Sequence, residues 1–212
     1  MTKRRRPVFG AVFDREDQRT RKRQAVVRAA AVAFNERGFS TTSMDDVAAA
    51  LGVTKPTLYQ YFKSKQEILY ECHLLAVHHG EAGVADANAH KGPALEKLLV
   101  YVRRFMMGFF DDLGSCAVLL DINSLTEKNR KHVIRRRDGV SDGVEAIITA
   151  GIKDGSIMPC DPKLAALFIF GVVNWMSVWY RSSGPKAPEE IADEFLRLFR
   201  SGLQRVPKPI VS

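Results

Sequence analysis

The sequence predicts an all-α protein, with an N-terminal three-helix unit containing a helix-turn-helix and then a larger helical domain. Three observations predict it. Apolar residues recur at i, i+3 and i+4 over most of the chain. Glycine, proline and Asp-Gly breaks separate these stretches at Gly38, Gly52, Gly92-Pro93, Gly114, Asp154-Gly155 and Gly184-Pro185. Alternating period-two runs and internal repeats are lacking.

Residues 1–18 carry Lys3, Arg4, Arg5, Arg6, Pro7 and Gly10 without a sustained period, which predicts a flexible basic arm. A helix is expected from near Gln18, with Ala25, Val26, Ala29, Ala30, Ala33 and Phe34 on its apolar face. Gly38 stops it, and Phe39 is placed to pack under its end. Ser43 caps a second helix, and Asp46 completes a capping box. Val47, Ala48 and Leu51 supply its apolar face, and Gly52 turns the chain. A third helix follows, with Thr54 as its expected cap and Pro56 in its first turn, where a missing N–H breaks no intrahelical bond. Ser64 opens a long fourth helix. Later helices are expected over about Pro93–Leu113, Thr126–Lys153, Asp161–Arg181 and Pro188–Val206, with Asp161-Pro162 and Pro188-Glu189-Glu190 as starts. The domain boundaries read 1–18, 19–65 and 66–212.

The chain has 212 residues, 46% of them hydrophobic and 26% charged, as expected of a folded soluble protein. Cys72, Cys116 and Cys160 are odd in number and far apart, so neither a disulfide framework nor a zinc site is suggested. A reduced, cytoplasmic setting follows. The N-terminus has no apolar run of a secretion signal. Leu164–Tyr180 is free of charge but short for a membrane span, and Asn174 and Ser177 interrupt it. A helix buried between subunits fits it better. His73, His78, His79 and His90 lack the i, i+4 spacing of a helical metal pair, so no metal and no cofactor is expected. No G-x-S-x-G, phosphate-binding loop or paired-acid motif supports an enzyme.

The net charge of +8 is unevenly placed. Residues 1–65 hold 14 Lys/Arg and 6 Asp/Glu, whereas residues 66–212 hold 18 of each. The basic third is expected to face a polyanion. A solvated tail alone would leave Lys55, Lys63 and Lys65 unexplained, because they lie in patterned sequence. On a helix of about 100° per residue with Leu58 at zero, Phe62 falls at about 40° and shares its inward face. Pro56, Thr57, Gln60 and Lys63 fall at about 140–260° and point outward, flanked by Tyr59 and Tyr61. Thr57 and Gln60 suit base edges in a major groove. The tyrosine hydroxyls, Lys63 and Lys65 suit phosphates. Thr41, Thr42 and Ser43, like Thr54 and Lys55, stand at helix starts whose amides attract phosphate. Arg19, Arg21, Lys22 and Arg23 can reach the backbone or minor groove.

The stretch "AAAVAFNERGFSTTSMDDVAAALGVTKPTLYQYFKSKQEIL" resembles the tetracycline-repressor (TetR) family over about Arg19 to Val77. The resemblance implies a three-helix DNA-binding domain, with its motif near 43–62, and a variable helical ligand-binding and dimerisation domain. It also implies a homodimer on a palindromic operator of double-stranded DNA, usually repression released by a small molecule. Lys55, Thr57, Tyr59, Gln60 and Tyr61 match family positions that contact DNA. A ligand-independent architectural DNA-binding protein, or an enzyme or carrier with a merely structural helix-turn-helix, stays open as an alternative.

In the second domain Phe105, Met106, Phe109, Phe110 and Leu113 form one aromatic group, and Trp175 and Trp179 stand i, i+4 on another helix near Asn174. Plain core is the commoner reading of such a group, and the lining of an apolar pocket is the other. The pattern N-W-x-x-x-W-Y-R, then G-P, then P-E-E-I-A-D, resembles family members that sense acyl-CoA thioesters. Arg130, Lys131, Arg135, Arg136 and Arg137 then offer cations for a ligand phosphate, with a solvated basic face as the alternative. The effector expected is a small apolar or acyl-CoA-type molecule. Phe168, Ile169, Val172, Val173 and Met176, with Ile191, Phe195, Leu198 and Phe199, are too apolar for water and predict a four-helix dimer interface.

Overall fold

The computed structural model describes the backbone of residues 8–110, 122–181 and 183–204, with side chains from Glu16 onward in those ranges, Ser177 excepted. Among these residues the chain forms eight α-helices: α1 Val8–Arg37, α2 Met44–Ala50, α3 Lys55–Tyr59, α4 Lys65–Ala89, α5 Ala94–Phe110, α6 Glu127–Asp154, α7 Pro162–Trp179 and α8 Pro188–Leu203. No β-strand occurs among them; an isolated antiparallel bridge joins Ile157 to Gln204.

The local signals act as the residue chemistry requires. Asp46 N donates to the Ser43 hydroxyl at 3.1 Å, and Ser43 N donates to the Asp46 carboxylate at 2.8 Å, closing the capping box of α2. Gly52 takes φ +64°, a region closed to most side chains, and so turns α2 into α3. Glu67 N donates to Ser64 Oγ at 3.1 Å at the start of α4. Asp161 accepts from Lys163 N and Leu164 N, and Pro162 begins α7. Phe39 packs edge-on against Phe34, with ring centres 5.1 Å apart.

One boundary differs. The first helix starts at Val8, ten residues before the expected position near Gln18. Between Val8 and Gln18 the sequence has one glycine and no proline, so nothing stops the helix. The part of the expected arm that holds Lys3 to Arg6 lies outside the described residues, as do Leu113, Cys116 and the expected helix end at Val206.

Packing follows the pattern of apolar faces. The first three helices gather around Val26, Ala30, Phe34, Val47, Leu58 and Phe62, all buried. Burying Leu58 and Phe62 fully contributes about 1.5–3 kcal/mol each. α4 packs on α1 through Leu69 and Cys72 and then runs on against α5 and α6. α5 also packs against α8, where Arg200 grips Glu96 with two hydrogen bonds of 2.6 and 2.8 Å. The α4–α6 crossing is close: a Cβ on Gly143 would sit 2.8 Å from a Val84 methyl. None of these helices is long and apolar enough to cross a membrane.

Candidate DNA-reading face and effector cavity

α3 divides its side chains as helical geometry demands. Leu58 and Phe62 are buried, whereas Lys55, Pro56, Tyr59 and Gln60 are exposed. Thr57 and Tyr61 are half-buried at the margin. Thr54 occupies the N-cap position, but its side chain caps no backbone amide; its hydroxyl pairs with that of Thr57 at 2.9 Å. Lys55 Nζ sits 2.7 Å from Asp45, a solvated pair that holds the lysine beside the face. The helix ends at Tyr59, although the Phe62 amide still reaches the Leu58 carbonyl at 3.1 Å. Lys63 therefore lies beyond α3, exposed, where its amide donates to Glu67 at 2.7 Å.

Three residues expected at DNA have partners within the protein. Thr42 is fully buried, and its hydroxyl donates to the carbonyls of Ala33 and Gly38. Lys65 donates to the carbonyls of Phe39 at 2.6 Å and Thr42 at 2.7 Å and lies over the Phe39 ring. Carbonyls left over after the end of α1 need donors, and this ammonium supplies them. Arg23 lies over the Phe62 ring and donates to the Tyr61 carbonyl and Glu71, both at 2.6 Å. Arg19, Arg21, Lys22, Thr41 and Ser43 remain exposed.

An apolar cavity of about 470 Å³ lies between α4, α5, α6 and α7. Phe105, Phe109, Phe170, Leu167, Ile134 and Val140 make its apolar wall, and Asn174 and Arg137 border it. Of the residues expected to line a pocket, Phe105, Phe109 and Asn174 border this cavity. Met106 does not, because it is fully buried in the core. Phe110 packs on Tyr180, with ring centres 4.8 Å apart. Trp175 and Trp179 are exposed, and Trp179 stacks on Phe195 outside this cavity. The helix period placed them near the pocket, but α7 turns their side outward.

The three adjacent arginines have separate fates. Arg135 is exposed. Arg136 forms a two-pronged pair with Glu81, which holds that carboxyl below its usual range. Arg137 alone reaches the cavity. Lys131 pairs with Glu127. Beneath this wall His73 is buried, and burial, helped by the charge of Arg137, lowers its pKa to about 4. Burial also raises the Tyr101 phenol above its usual value. Among the described residues no group of three or more His, Cys, Asp or Glu side chains could hold a metal.

Two family models match the chain: "Bacterial regulatory proteins, tetR family" over residues 26–72, and "Tetracyclin repressor-like, C-terminal domain" over residues 91–203. The chain belongs to the TetR family. It is accordingly a DNA-binding transcriptional regulator. Among its TetR-family relatives, the TetR family transcriptional regulator PfmR from Thermus thermophilus is 34% identical, with a TM-score of 0.75 over 85% of this chain and 99% of that one. The "Fatty acid metabolism regulator protein" of Bacillus subtilis is 24% identical across 88% of this chain and 97% of its own. The structure of AibR in complex with isovaleryl coenzyme A and operator DNA is 25% identical, with a TM-score of 0.72, over 83% of this chain and 96% of that one.

In this TetR-family chain the expected interface residues also divide. Ile169, Val173, Met176, Ile191 and Phe199 are buried inside the subunit, and Val172 and Phe195 are half-buried. Phe168 and Leu198 are exposed, at 59% and 54%. α7 is apolar on every side, so periodicity could not show which side meets the core. Its exposed side adds Leu164 at 65%, Trp175 at 62%, Val178, Trp179 and, at the cavity rim, Leu167, all within the Leu164–Tyr180 run that its lack of charge marked as a helix between subunits.

Proposed function

We propose that this TetR-family regulator is a homodimeric, cytoplasmic repressor rather than an enzyme. It binds a palindromic operator through residues 19–65 and is released by a small effector bound within residues 66–212. The observation that carries this reading is α3: Leu58 and Phe62 are spent on the core, while Pro56, Tyr59 and Gln60 stand outward beside the half-buried Thr57. Such a face can enter a major groove, with Thr57 and Gln60 toward base edges and Tyr59, Tyr61, Lys55 and Lys63 toward phosphates.

The dimer reading rests on the outer side of α7 with Leu198 of α8, an apolar surface too large to leave in water. Two copies pairing there would place two α3 helices on one operator, with half-sites about 34–36 Å apart. The effector reading rests on the apolar cavity bordered by Arg137, of a size suited to small ligands. An acyl-CoA-type effector is supported by the likeness to AibR, which is solved with isovaleryl coenzyme A.

A mobility-shift titration with the DNA upstream of the protein's own gene tests the reading. A sequence-specific shift, reversed by acyl-CoA thioesters, is expected. No specific shift at low salt would refute the regulator's assigned site, and a shift indifferent to every ligand would favour an architectural role.

A further inference from the structure

One cation on the cavity wall, Arg137, has no direct bond to a carboxylate among the described residues. Three arginines stand at or beside it. Arg104 is paired with Asp86, and Arg136 is paired with Glu81. Arg137 borders the cavity half-buried, and no hydrogen bond or ion pair joins it to a carboxylate among the described residues. Asp138, next along the helix and exposed at the border of the same cavity, attracts it through space without a direct bond. Behind it lies His73, buried and neutral, with both ring nitrogens unpartnered, so that side offers no countercharge. A guanidinium taken partly out of water is costly unless an anion meets it. Evolved interiors seldom leave one unpaired, and the space in front of it has an aromatic wall of Phe105, Phe109 and Phe170 beside a few polar groups, with Asp138 the one carboxylate among its lining residues.

We propose that the effector is an amphiphile with an apolar body and one anionic oxygen group, and that Arg137 is the residue that holds this group. The inference rests on the effector reading above and names the ligand's chemistry. A carboxylate and a phosphate both offer the paired oxygens that a guanidinium grips. A free acid would bring the first into the cavity; a coenzyme A thioester would bring the second, with its acyl chain among Phe105, Phe109 and Phe170. Neither Arg135 nor Arg136 is required, since one faces solvent and the other is already paired.

Titration calorimetry on the full chain, without DNA, tests this with decanoate, decanoyl-CoA and methyl decanoate. Saturable binding of decanoate or decanoyl-CoA is expected, with methyl decanoate at least tenfold weaker. Arg137→Gln should weaken the anionic ligand at least tenfold, Arg137→Lys should weaken it less, and Arg135→Gln should change it less than twofold. Decanoate binding would identify a carboxylate as the anion, and binding of decanoyl-CoA alone would identify a phosphate. No saturable binding of either anion, equal binding of the neutral ester, or full affinity in Arg137→Gln would each overturn the proposal. The ester comparison uses the wild-type chain and so holds even if a variant folds poorly. Because binding is read without DNA, failure of operator release would count against the regulatory reading and not against the anion site.

Discussion

The Tyr70 hydroxyl and His132 Nδ1 lie 2.5 Å apart, joining α4 to α6. α4 begins beside the DNA-reading face, where Glu67 and Glu71 meet Arg23, and farther on it lines the cavity with Ala76, Val77 and Gly80. α6 carries Arg137, just over one turn beyond His132. A ligand that displaces α6 thus has a direct mechanical link to α4.

Tyr70→Phe is predicted to remove that link and little else. Operator affinity without ligand should stay within about threefold. Half-release should need several-fold more effector, because coupling energies between sites are typically about 1–3 kcal/mol. Anisotropy of labelled operator, with and without effector, reads both quantities. An unaltered ligand response would show that coupling runs elsewhere.

The outward residues of α3 are predicted to act differently from the lysine after it. Thr57→Ala and Gln60→Ala should relax sequence preference, each by about 1–3 kcal/mol at one base position. Lys63→Ala should weaken all sequences alike and lower the salt slope by about one. Binding to the operator and to scrambled DNA across a salt series separates these effects.

Lys65 and Arg23 are predicted to behave as stability residues. Lys65→Met removes charge-assisted bonds to the carbonyls of Phe39 and Thr42. The expected loss is about 1.5–3 kcal/mol in denaturant unfolding, with the salt slope of DNA binding unchanged. A reduced slope with full stability would return Lys65 to the DNA-contact set.

The fold was largely readable because its signals are local. Ser43 with Asp46, Gly52, Pro56, Ser64 and Asp161-Pro162 each act on neighbouring backbone, so their positions suffice to place helix ends. Leu58 and Phe62 were readable for the same reason, since helical period alone sets their side. Lys65, Thr42 and Arg23 were not, because their partners are set by the fold and any surface cation resembles a phosphate contact until its acceptors are seen. Trp175 and Trp179 were misplaced because α7 is apolar all round and gives no bias toward one neighbour.

His73 predicts a pH dependence of stability. Its folded pKa of about 4 lies below the ordinary histidine value, so the unfolded chain binds the extra proton first. Its contribution is complete above about pH 6.5 and falls as pH drops toward 4, by at most about 1.4 kcal/mol per pH unit. His73→Leu should flatten the unfolding free energy across that window. An unchanged slope in urea melts from pH 7 to 4.5 would contradict a neutral buried imidazole.

The central claim is that α3 reads an operator and that a ligand in the cavity controls it. The most direct measurement is anisotropy of the DNA upstream of the protein's own gene, titrated with wild-type and Thr57→Ala/Gln60→Ala protein, with and without decanoyl-CoA. Tight, sequence-specific binding by wild type, loss of specificity in the double variant, and release by the ligand are predicted. Equal binding of operator and scrambled DNA by wild type, unaffected by the double substitution, would contradict the claim.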